Sequence, residues 1–145
     1  MLKSIPRIIS PELMFVLMKM GHGDEIVLAD GNFPADSNAQ RIVRADGHAV
    51  SELLDAILQF LPLDMFVAEP AFVMRPVDDA EPEPPIWSDF RRIMKEHDGR
   101  EVPVQQVERF AFYEQAKNAY AIVATSESVL YANLILKKGV VEQLS

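Results

Sequence analysis

Glu25-Ile26-Val27-Leu28-Ala29-Asp30-Gly31-Asn32-Phe33-Pro34 is the stretch on which the fold turns. Its first five residues are a short, largely apolar run with β-branched side chains, which predicts a buried strand. The next five are a loop by composition, with aspartate, glycine, asparagine and proline in succession. A strand of this kind needs cover, and the flanking sequence supplies it. Upstream, Ser10-Pro11-Glu12 opens a helix: serine can cap it, proline has its φ preset for the first turn, and glutamate favours the positive end of the dipole. Leu13, Val16, Leu17 and Met20 follow at helical spacing, and Gly21 stops the run before the turn His22-Gly23-Asp24.

Downstream the alternation repeats. Residues 41–45 read as a second strand closed by Asp46-Gly47. A helix with Leu53, Leu54, Ile57, Leu58 and Leu61 on one face runs from Ser51 to about Pro62. Ala71–Met74 reads as a strand, and 77–85 as an acidic, proline-rich connector within the domain. Trp87 to about Glu96 reads as a helix, Val102–Val107 as a strand, Phe110–Ala119 as a helix, and Tyr120–Thr125 as a strand. Leu134-Ile135-Leu136 is the last apolar run. Strands alternating with helices predict a single α/β domain over residues 1–145, with a mainly parallel sheet flanked by helices. Ligands of such sheets bind beyond the carboxyl ends of the strands, which marks Asp30 and Arg109 as candidates.

The 145 residues suffice for one core. A net charge of −8 and a pI near 4.8 disfavour nucleic acid and anionic membrane surfaces as partners. Cysteine is absent, so disulfides, thiolate catalysis and cysteine-bound metals are excluded. No run has the length of a membrane span, and the first residues lack a secretory signal, so a cytoplasmic location is expected.

Three histidines are present. His48 and His97 sit beside Asp-Gly pairs and read as exposed loop residues. His22 lies between two glycines at a helix exit, where the ring is accessible and a protonated form is favoured. His22, Asp24 and Asp30 could offer metal ligands, but no histidine pair at chelating spacing accompanies them, and no metal site is assigned. Asp30 is either a turn former bonding nearby amides or a carboxylate that accepts ligand hydroxyls or orients His22. Tyr131 and Asn133 stand two apart, so in an extended segment both would point to one face, a donor and acceptor set suited to neighbouring hydroxyls.

Taken in order, Met20-Gly21-His22-Gly23-Asp24-Glu25, Asp30 with Phe33-Pro34, Arg44-Ala45-Asp46-Gly47, Arg109-Phe110-Ala111-Phe112-Tyr113-Glu114, and Tyr131-Ala132-Asn133 leading to Lys137-Lys138-Gly139-Val140 resemble the ribose pyranase and fucose mutarotase family. The Arg109–Glu114 element sides with its fucose mutarotase branch, and only about Asp78–Val104 lies outside the likeness. The resemblance implies an α/β fold assembled into rings, commonly a decamer of two stacked pentamers, with the site at a subunit interface and no cofactor. It implies that His22 is the general acid, and that Asp30, Arg109, Tyr131 and Asn133 contact a monosaccharide, L-fucose or a close relative. Mutarotation opens a hemiacetal, turns about C1–C2 and recloses the ring. An imidazole, with a free pKa of about 6.5, can give and regain the required proton near neutrality. Pyranose–furanose interconversion of ribose-like sugars and non-catalytic sugar binding remain as alternatives.

Overall fold

The computed structural model describes residues 1–142. Eleven elements follow in order: α1 (Pro11–Lys19), β1 (Glu25–Ala29), α2 (Ala35–Asn38), β2 (Ile42–Ala45), α3 (Val50–Ile57), β3 (Ala71–Met74), α4 (Ile86–Asp98), β4 (Val104–Val107), α5 (Arg109–Asn118), β5 (Ala121–Thr125) and β6 (Leu134–Lys137). The six strands form one sheet in the order β2-β5-β1-β6-β3-β4. β1 pairs with β5, β5 with β2, and β3 with β4 in parallel, while β6 runs antiparallel between β1 and β3. The mainly parallel α/β domain expected from the alternation is therefore present.

The apolar character of β1 follows from its place. Ile26 and Leu28 face a core shared with α1, α3 and α4, whereas Val27 and Ala29 face a second core with Phe33, Phe112 and Ala116. Successive side chains of a strand point to opposite faces, so a strand covered on both sides leaves positions 26–29 no room for a polar residue, and Glu25 is polar only because it sits at the rim. Local chemistry starts the helices. Ser10 Oγ accepts the Leu13 amide at 3.1 Å, and Glu108 accepts those of Phe110 and Ala111 at 2.9 and 3.0 Å. The first turn of α3 is served both locally and from afar: Glu52 within it takes the Ala49 amide at 2.9 Å, and buried Glu127, distant in sequence, takes that of Val50 at 3.2 Å.

Several boundaries differ from the sequence reading. α3 starts at Val50 and stops at Ile57, with residues 58–60 in turns, because Leu58, Leu61 and Leu63 stay buried without needing a helix. α4 extends to Asp98 and ends on Gly99 at φ +77°, so His97 lies in a helical turn, with Nε2 2.8 Å from Asp55 Oδ1. His48 is a loop residue as expected, its Nδ1 3.3 Å from Glu52. The short α2 went unread.

The connection from β5 to β6, residues 126–133, positions the site. It is shorter than the roughly dozen residues that a parallel crossover needs, so β6 returns antiparallel. To reach the far side of β1, the link must pass over the carboxyl end of that strand. There Gly31 N–H bonds the Glu127 carbonyl at 2.8 Å and Thr125 Oγ1 donates to the Ala29 carbonyl at 2.7 Å. A Cβ on Gly31 would come within 3.1 Å of the same Glu127 carbonyl oxygen, so this close approach favours glycine.

Candidate active site

His22 sits in the turn between α1 and β1, at the amino end of the sheet. Gly23, at φ +87°, makes the turn. The Gly21 amide closes it on Asp24 Oδ2 at 2.7 Å, and Gly23 N–H and the Asp24 carbonyl fasten it to Lys138 at 2.8 Å each. The imidazole is about half exposed, and its Nε2 lies 3.1 Å from Oδ1 of Asp64, whose own side chain is 3% exposed. Asp64 is held by its own amide on the Lys137 carbonyl and by the Phe66 amide, which donates to Oδ1 at 3.0 Å. Burial by itself would raise the Asp64 carboxyl. The Phe66 amide, the His22 hydrogen bond and the charges of His22 and Lys137 together outweigh it and hold the group below the usual carboxylate range. An ionised carboxylate only accepts, so Nε2 is the donor and Nδ1 is the nitrogen left to exchange protons. The Phe66 ring, itself exposed, lies 5.5 Å from the imidazole at 58°.

Asp64 escaped the sequence reading. It follows the helix-ending Pro62-Leu63 and stands 42 residues from His22. No local spacing connects the two.

Asp30 lies at the opposite, carboxyl end of β1. The five residues of that strand, at about 3.3 Å each, hold the two ends about 17 Å apart. Asp30 therefore does not orient His22 within one chain; Asp64 does. Oδ1 of Asp30 accepts the amides of Asn32 and Phe33 at 2.9 Å each, the turn-forming pattern. Oδ2 accepts Asn133 Nδ2 at 3.1 Å, and Asn133 Oδ1 takes the Asp30 amide at 2.8 Å. Both residues are buried. A carboxylate has about four acceptor positions and an amide nitrogen two protons, so this reciprocal pair retains one acceptor on Asp30 and one donor on Asn133. Burial pushes the Asp30 carboxyl up; the Asn32 and Phe33 amides and Asn133 offset this in part, and the Glu127 charge adds to the rise.

Tyr131 and Asn133 are not on one face of a strand. β6 begins only at Leu134, and Tyr131 is at φ +60°, in the left-handed region. Its hydroxyl accepts the Val77 amide at 3.3 Å. Arg109 is the first residue of α5, immediately beyond β4, exposed, with its guanidinium 4.6 Å from the centre of the Phe110 ring. Asp30, Arg109, Tyr131 and Asn133 thus all belong to the carboxyl end of the sheet, and His22 and Asp64 to the amino end.

Fold and side chains together define an α/β protein of small-ligand type, with a carboxylate-held imidazole at one end of the sheet and a buried acceptor–donor pair at the other. The chain belongs to the RbsD / FucU transport protein family, which it matches over residues 3–141. It is 50% identical over 147 residues to the fucose mutarotase of Mus musculus, covering 97% of this chain and 95% of that one. It is 45% identical over 140 residues to the L-fucose mutarotase of Actinobacillus pleuropneumoniae, with 97% of each chain covered. The fucose mutarotase of Streptococcus pneumoniae, solved in complex with L-fucose, superposes with a TM-score of 0.92 at 49% identity, over 97% of this chain and 100% of that one.

Proposed function

We propose that this protein interconverts the α and β anomers of L-fucose, or of a closely related aldopyranose, by general acid–base catalysis without a cofactor. The observation that carries the reading is the His22–Asp64 pair: an accessible imidazole whose Nε2 is fixed by a buried carboxylate, in a chain about half identical to fucose mutarotases. The protonated ring gives its Nδ1 proton to the ring oxygen as the C1–O5 bond breaks, and Asp64 stabilises the imidazolium beforehand. The anomeric hydroxyl loses its proton as C1 becomes the aldehyde carbon. Tyr131 relays that proton to solvent, the Val77 amide supporting charge that develops on the phenolic oxygen. After rotation about C1–C2 the steps reverse, and no proton is gained or lost overall. Asp30 and Asn133 receive adjacent sugar hydroxyls, and Arg109 donates to a third.

We further propose that each site is shared between two copies of the chain. Two observations support this: His22 and the Asp30–Asn133 pair occupy opposite ends of β1, and each end exposes apolar residues, Met65 and Phe66 beside His22, Phe110, Val129 and Leu130 beside Arg109 and Tyr131. Joining one copy's amino end to the next copy's carboxyl end is a head-to-tail contact, the kind that builds rings when its rotation closes. A decamer of two pentameric rings is the expected assembly, and a 16.3 kDa particle by light scattering would refute it. Among the described residues no helix is long and apolar enough to cross a membrane. We place the protein in the cytoplasm, and recovery in the secreted or membrane fraction of cells would overturn that.

The test of activity is exchange NMR on the anomeric protons of L-fucose with catalytic amounts of protein, repeated with D-ribose and D-galactose. Accelerated α–β exchange, fastest with L-fucose, is expected. Pyranose–furanose exchange of ribose alone would favour the ribose pyranase reading, and binding without exchange a sugar-binding module. The shared site has its own test in mixed rings. Equal amounts of inactive His22→Ala and Asn133→Ala chains, unfolded and reassembled together, leave each site an independent half chance of an intact His22 and of an intact Asn133. About one quarter of wild-type activity should then return, whereas a site contained in one chain would give none.

A further inference from the structure

We propose that Trp87 is a positioning residue for the sugar site, acting through Tyr131. This inference rests on the reading that Tyr131 contacts the sugar.

Tyr131 holds a backbone conformation that L-residues other than glycine, asparagine and aspartate rarely adopt, φ +60°. Such a conformer persists only where its surroundings over-determine it, and the surroundings here can be named. The carbonyl of Tyr131 accepts the indole Nε1–H of Trp87 at 3.0 Å. Its hydroxyl accepts the Val77 amide at 3.3 Å. Both donors belong to one strap, the connector from β3 into the first turn of α4, so the tyrosine is gripped at its two ends by a single piece of chain. The strap is itself fastened: Glu83 forms a two-pronged ion pair with Arg91 of α4 at 3.0 and 2.6 Å, and the Trp87 amide bonds the Pro84 carbonyl at 3.0 Å.

Trp87 is well placed to impose geometry. It is 3% exposed and packs in the core with Phe90 and Ile93 of the same helix, so its ring has little freedom. An indole N–H donates one hydrogen bond only, and here it goes to the carbonyl that the left-handed turn presents. Without this bond the peptide after Tyr131 loses its anchor, and the residue can relax toward the ordinary regions of backbone space. The hydroxyl then leaves the position set by Val77, while the Asp30–Asn133 pair, held by its own bonds, stays.

Trp87 is the sole tryptophan of the chain, which makes the proposal directly measurable. Trp87→Phe keeps an aromatic ring and removes the N–H. It should slow L-fucose exchange about three- to tenfold, the effect of one net hydrogen bond on the population of the competent conformer. In a Tyr131→Phe background the same change should slow exchange no further, because the group through which it acts is already gone. Full activity of Trp87→Phe, or losses that multiply in the double variant, would overturn the proposal. A second measurement needs no variant: the indole gives one cross-peak in a ¹H–¹⁵N spectrum, and saturating L-fucose should shift it. A peak that moves without accelerated exchange would leave the strap standing and sink the mutarotase reading. Accelerated exchange with an unmoved peak would sink the strap alone.

Discussion

Gly139→Ala tests how the His22–Asp64 pair is held. Gly139 is buried just beyond β6 and donates its amide to the Pro62 carbonyl at 2.7 Å. A Cβ there would lie 2.5 Å from the Leu63 carbonyl oxygen and 2.8 Å from both the Leu63 carbonyl carbon and the Asp64 Cα. Carbon–oxygen contacts of this kind settle at about 3.3–3.6 Å, so the 63–64 backbone must retreat by about 0.8 Å. It cannot do so freely. The Asp64 amide is bonded to Lys137 at 3.0 Å and Leu63 bridges Lys138, so the retreat stretches contacts on both sides of the intruding methyl. Moved by that distance, Asp64 Oδ1 leaves hydrogen-bond range of His22 Nε2, now 3.1 Å away. The substitution should cost about 1–3 kcal/mol of stability, as overpacking does. Displacement of a catalytic group by about 1 Å can slow a reaction about 10²-fold, and a loss of that order is expected here. Denaturant unfolding and L-fucose exchange NMR measure the two effects. A variant that unfolds at the wild-type midpoint and exchanges sugar at the wild-type rate would refute the reasoning.

Four further outcomes follow from the same geometry. His22→Ala should lower the exchange rate about 10²–10⁴-fold with little change in stability, since the ring is half exposed; wild-type exchange would remove it as the acid. Asp64→Asn should lower exchange by up to about 10⁴-fold, as the same replacement behind a catalytic acid–base imidazole does. Because the folded Asp64 value lies below 3.8, the protein loses the stability due to this group as pH falls through that value, and acid unfolding curves of the variant should be flatter below about pH 4. Asp30 has the opposite sign: its folded value lies above 3.8, so its contribution to stability declines as pH rises through that value. In Asp30→Asn that decline should vanish, while sugar binding is lost because the new amide nitrogen faces Asn133 Nδ2 across 3.1 Å, donor against donor; calorimetric titration with L-fucose reads the loss. Ser10→Ala removes the cap on Leu13 and should cost about 1 kcal/mol by chemical denaturation without altering exchange.

Much of the architecture was legible because it is written in local patterns. Ser10-Pro11-Glu12 opens α1, although the helix ends at Lys19 with an extended Met20 as its cap rather than on Gly21. The apolar run 25–29 is β1, and the turn at Asp30 makes the local bonds that aspartate makes in such places. These signals depend on backbone preference and on burial within a few residues, which sequence carries directly. The ordered motifs around His22, Asp30, Arg109 and Tyr131–Asn133 also identified the family. Boundaries slipped where packing overrode periodicity, as at the end of α3, where three leucines stay buried outside the helix.

What only the tertiary structure decided is which of these residues meet. The short 126–133 link forces β6 to return antiparallel between β1 and β3, and this joins Asn133 to Asp30 across 103 residues. The same sheet order carries the segment after α3 back to the amino end of β1, where Asp64 takes His22. It also brings the indole of Trp87 onto Tyr131, whose left-handed backbone contradicts the extended segment suggested by its alternate spacing with Asn133. Sequence alone supplied the chemical groups. Their distances depend on strand order and on what each strand end must bury, and those are properties of the whole sheet.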